Sequence, residues 1–183
     1  PEPMRSRYRE NAMLQLLYIY GGMIVPNSFL CLQSLHGLYL QGIAHKTPFM
    51  AERIARIPNA PQSKPFLPDV YFMGATKEDP MLEKLIGLYQ SLEEKQHFQS
   101  ETEFNYTVGQ WCKDEVDAGT IQVVDGTLIG VKTSIGKPVL LEDLMSEDYL
   151  DIELSVLQGV YIPSKELLRR PKYQYFSILP VEE

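Results

Sequence analysis

Few residues of this chain have the types and spacing that chemistry needs, and they gather around one stretch. Leu17-Tyr18-Ile19-Tyr20 runs into Gly21-Gly22, then the apolar triplet Met23-Ile24-Val25, the polar break Pro26-Asn27-Ser28 and a second apolar run, Phe29-Leu30-Cys31-Leu32. A break of this composition is what a chain places at a strand end that opens onto a cleft. A further apolar run, Val70 to Met73, carries a carboxylate, Asp69, at its end. Each of these residues also has a purely structural reading. Gly21-Gly22 stops a helix, Asn27-Ser28 makes a turn, and Asp69 is a loop acid after Pro68.

The remaining reactive side chains are isolated. His36 and His45 lack a second His, Cys or carboxylate at ligand spacing and read as solvated or hydrogen-bonded histidines. Cys31 and Cys112 sit in apolar settings and read as small core hydrophobes; no zinc spacing is present, and one bridge between them stays open. Trp111, at helical spacing from Phe104 and Val108, reads as core rather than as a stacking platform. Gly126, Gly130 and Gly136 do not form a phosphate loop, because Gly136-Lys137-Pro138 lacks the Gly-Lys-Ser/Thr ending. Arg169-Arg170 with Lys172 reads as a solvated helix end.

The elements that must position these residues follow from periodicity and punctuation. A helix is expected over 7–20 after an arm at 1–6, with Met13, Leu14, Leu16, Leu17, Tyr18 and Tyr20 on one broad apolar face. The double glycine ends it and leads into a central strand, with Phe29 to Leu32 and Val70 to Met73 expected in the same sheet. A turn over 33–37 and a strand over 38–43 follow. Residues 46–68 hold five prolines and read as an irregular loop with a short helix over 49–57. Asp79 and Pro80 open an amphipathic helix over 80–96, with Leu82, Leu85, Ile86, Tyr89 and Leu92 on one side. Ser100 and Glu103 announce a second helix, which Gly119 ends. Asp125-Gly126 between 121–124 and 127–131 reads as a two-residue hairpin turn. A short helix over 140–145, an edge strand within 152–162, a short helix over 164–170 and an extended tail over 173–183 complete the chain.

From Tyr8 to Leu85 this order of helix, Tyr-Gly-Gly, apolar triplet, three-residue polar break and apolar strand resembles the sugar-binding region of the DXD-motif glycosyltransferases. The strand ending in Gly74-Ala75, followed by a Lys-containing turn and Pro80, resembles the same family. In that family the break reads Asp-x-Asp, and its carboxylates hold a divalent metal against the diphosphate of a sugar nucleotide. Here Pro26 and Ser28 stand at those positions and offer no ionised oxygen. Variants with Pro at the first position resemble glycosyltransferase-like proteins of large DNA viruses. The resemblance implies an α/β fold of GT-A type, a mixed sheet with flanking helices, lacking most of the N-terminal nucleotide-binding half. It also implies that Gly21, Gly22, Asn27 and Ser28 would face a donor diphosphate, with Asp69 as the catalytic carboxylate. Two functions follow from it. One is a catalytically impaired, glycosyltransferase-derived domain serving as a structural or interaction module, for instance in a viral particle. The other is an active transferase using a sugar nucleotide with Mn²⁺, its nucleotide-binding half lying upstream of Pro1.

Composition sets the outer bounds. The chain has 183 residues, 44% hydrophobic and 22% charged, which suits one globular domain spanning 1–183. A net charge of −7 with dispersed Lys and Arg argues against a nucleic-acid partner. No apolar run reaches the roughly 20 residues of a membrane span, so a soluble, cytoplasmic or virion-associated protein is expected. No resident cofactor or metal is expected on the impaired reading. The anticipated partner is a protein, meeting the 46–68 loop or the 173–183 tail.

Overall fold

The computed structural model describes residues 2–54, 66–94, 101–144 and 157–162 of the chain. They belong to two compact units, one built from Pro1–Pro26 and Leu35–Asp125, the other from Asn27–Ser34 and Gly126–Glu183. The architecture is mixed α/β with a mixed sheet and flanking helices.

The first unit opens with helix α1 (Glu2–Tyr20), which leads into strand β1 (Gly22–Ile24). Helix α2 (His36–Gly42), strands β3 (Phe49–Ile54) and β4 (Phe66–Ala75), helices α3 (Pro80–Glu94) and α4 (Glu101–Asp117) and strand β5 (Gln122–Val124) follow. The four strands form one sheet in the order β1-β4-β3-β5. β1 and β3 lie antiparallel to β4, and β5 runs parallel to β3. Register slips between Met50 and Ala51, so that Met50 pairs with Met73 but Ala51 pairs with Asp69. An irregularity of this kind bends a strand and turns its side chains locally.

The main core lies between this sheet and the helices. Leu14 and Leu17 of α1, Leu82, Leu85 and Tyr89 of α3, and Phe104, Val108 and Cys112 of α4 close over Met50, Met73 and Ala75. Phe49 organises a second contact. An added Cβ on Gly42 would come within 2.2 Å of its ring, and one on Gly74 within 2.3 Å, so both glycines are needed for the ring to fit; Tyr39 of α2 meets it edge-on at 6.4 Å. Asp79 caps α3 as its position before Pro80 suggests, its Oδ1 accepting from the Met81 amide at 2.9 Å and the Leu82 amide at 3.3 Å.

The second unit contains strand β2 (Phe29–Cys31), a short 3₁₀ turn at Gly126–Ile129, helix α5 (Leu141–Leu144) and strand β6 (Gly159–Tyr161). β2 and β6 pair antiparallel, Phe29 opposite Tyr161 and Cys31 opposite Gly159. The Phe29 ring lies where a Cβ on Gly159 would stand, 2.1 Å away. Ile129, Val131, Leu157 and Tyr161 are buried here.

Several expectations are corrected. α1 begins at Glu2 rather than Arg7. β1 is an edge strand, not a central one, and Phe29 to Cys31 pairs in a different sheet from Val70 to Met73. The apolar run 38–43 is helical rather than extended, because Leu38 and Gly42, one turn apart, are the buried positions of α2. Residues 49–54 form a strand, not a helix, and the 46–68 stretch therefore supplies sheet at both ends. The Asp125-Gly126 hairpin does not form; β5 pairs with β3 and the chain continues as a 3₁₀ turn. Residues 55–65, the 164–170 helix, the Arg169-Arg170 patch and the 173–183 tail lie outside the described residues.

Candidate functional site

Of the residues that the resemblance assigns to a sugar nucleotide, Gly21, Gly22 and Asp69 belong to the first unit and Asn27 and Ser28 to the second. Gly21 adopts φ +68° just past α1, and its amide donates to the Leu17 carbonyl at 2.7 Å, while the Glu78 amide donates to Tyr18 at 2.8 Å. The helix end is thereby satisfied by the chain itself. Gly22 pairs with Ala75, six positions along β4 from Asp69, which at about 3.4 Å per residue is roughly 20 Å. Asp69 is 1% exposed, and its Oδ1 accepts from the Tyr71 amide at 3.1 Å. Asn27 and Ser28 belong to the second unit, where they form the turn before β2 and the Ser28 carbonyl accepts from Ile162 at 3.4 Å. The break itself offers no pair of ionised oxygens to a metal, and the one carboxylate of the set, Asp69, is buried. Among the described residues, no group of three His, Cys, Asp or Glu side chains could hold a metal ion.

Two polar features of the first unit were not legible in advance. Under α1, the Tyr71 hydroxyl donates to Glu10 Oε1 and the Tyr89 hydroxyl donates to Oε2 at 3.2 Å. Burial, followed by the Glu10 charge, pushes the Tyr89 phenol well above its ordinary value, so it remains a donor. Beside this pair, Asn11 Nδ2 donates to Glu93 Oε1 at 3.5 Å, and the Arg7 guanidinium lies 4.6 Å from the centre of the Phe104 ring. The network fastens α1 to β4 and α3.

Next to it, Arg53, Asp69, Tyr71, Asn105, Val108 and Gly109 line a shallow depression of about 20 Å³. That is far below the roughly 300–1,000 Å³ of small-molecule pockets. Cys112, packed close by, is pushed up to about 12, by burial first and then by the Asp69 charge, with Arg53 opposing. A thiol held there stays protonated and is a poor nucleophile. Cys31, by contrast, is exposed, so its reading as a core residue is corrected; both cysteines are free.

The third feature is the outer face of α1. Arg7, Asn11, Leu14 and Leu17 are its buried positions, at spacings of four and three. Tyr8 at 56% exposure, Met13 at 39%, Leu16 at 49%, Ile19 at 50% and Tyr20 at 75% point away from the core. The broad apolar face read from the sequence is therefore split, Leu14 and Leu17 inward and Met13, Leu16 and Tyr20 outward. The signal for this was the line of 7, 11, 14 and 17, which mixes polar and apolar side chains and so hides amphipathicity. No helix among the described residues is long and apolar enough to cross a membrane. No family model, curated protein or solved structure matches this chain.

Proposed function

We propose that this chain is a non-catalytic interaction module. The observation that carries the reading is the outer side of α1, where Tyr8, Met13, Leu16, Ile19 and Tyr20 are exposed beside Arg9 and Gln15, while Arg7 and Asn11 are buried and Glu10 bonds Tyr71 and Tyr89. Large exposed apolar side chains gathered on one element mark a contact site, whereas singly scattered apolar residues do not. Further support comes from the assigned donor residues. Gly21 is committed to ending α1, Asp69 is buried, and Asn27 and Ser28 form a turn in the other unit. Descent from the glycosyltransferases is part of the proposal only through the sequence order of Tyr8 to Leu85, and the module reading does not depend on it.

The test is thermal. A ligand that binds only the folded chain at about a hundred times its Kd adds roughly 2.7 kcal/mol, a rise of several degrees for a chain of this size. UDP- and GDP-sugars, with and without Mn²⁺, are expected to leave the melting temperature unchanged. A saturable rise with one sugar nucleotide overturns the proposal in favour of a transferase.

A further inference from the structure

We draw no further inference here: the strongest candidate, the shallow depression between β3, β4 and α4 that Arg53, Asp69, Asn105 and Gly109 line, belongs to the site already described, and with about 20 Å³ of space, Asp69 buried and the Arg53 Nε closed off from solvent, nothing in the structure shows a ligand that would enter it.

Discussion

Tyr89 and Cys112 make the stability of the first unit sensitive to high pH. Cys112 titrates at about 12 in the fold instead of near 9.0, and Tyr89 is raised well above its ordinary 10.0, desolvation being the first cause in both. Above these ordinary values the unfolded chain has lost protons that the folded chain keeps. The unfolded state therefore binds fewer protons, and stability falls as pH rises. The contribution is fully present below about pH 9 and is lost from pH 9 toward 12 for Cys112, with Tyr89 adding above pH 10. Each group costs up to about 1.4 kcal/mol per pH unit within its window. Urea midpoints measured from pH 8 to 11 should fall for the wild-type chain, and more shallowly between 9 and 10 for Cys112→Ala. Equal slopes in the two proteins would show that the thiol is not held as described.

At the scale of elements, the two faces of α1 make contrasting demands. Leu14 is 2% exposed within the core, and Leu14→Ala should cost about 2–5 kcal/mol through lost transfer energy and the cavity left behind. Leu16 is 49% exposed, and Leu16→Ala should stay within about 0.5 kcal/mol. Denaturant melts of both variants at low concentration check this, and similar losses would mean that the helix is rotated. The same helix shows what could be read in advance and what could not. Local signals with local partners were legible. Asp79 capping α3, Gly21 ending α1 and Gly119 past α4, at φ +76°, all follow from residues adjacent in sequence. Remote partners were not legible. Asp125-Gly126 carries a good turn signal, yet β5 finds β3 more than seventy residues earlier, and no neighbouring strand is left for a hairpin. Residues 38–43 are apolar enough for a strand, but the need to place Gly42 under Phe49 selects a helix. Of the candidate site, the turn-forming roles of Gly21 and Asn27-Ser28 were readable as such. The Glu10-Tyr71-Tyr89 network was not, because its members are separated by 61 and 79 positions and meet only in the fold.

At the scale of the molecule, the chain leaves the first unit after Pro26, returns at Leu35 and leaves again after Asp125. Every strand of the four-stranded sheet and all three helices that close its core lie within residues 1–125. The excursion 27–34 contributes β2, whose ladder partner β6 is at 159–161. A chain cut after Asp125 thus keeps the complete ladder β1-β4-β3-β5 and loses β6, the ladder partner of β2 in the loop 27–34. The fragment 126–183 holds β6 without β2, and a strand that has lost its ladder partner is marginal in water. The fragment 1–125 is accordingly expected to melt cooperatively, with Trp111, half-buried against the core of its own unit, reporting the same midpoint as circular dichroism. The fragment 126–183 is expected to show no cooperative melt. Probe-dependent or non-cooperative unfolding of 1–125 would mean that its sheet and helices require the second unit to reach a fixed packing.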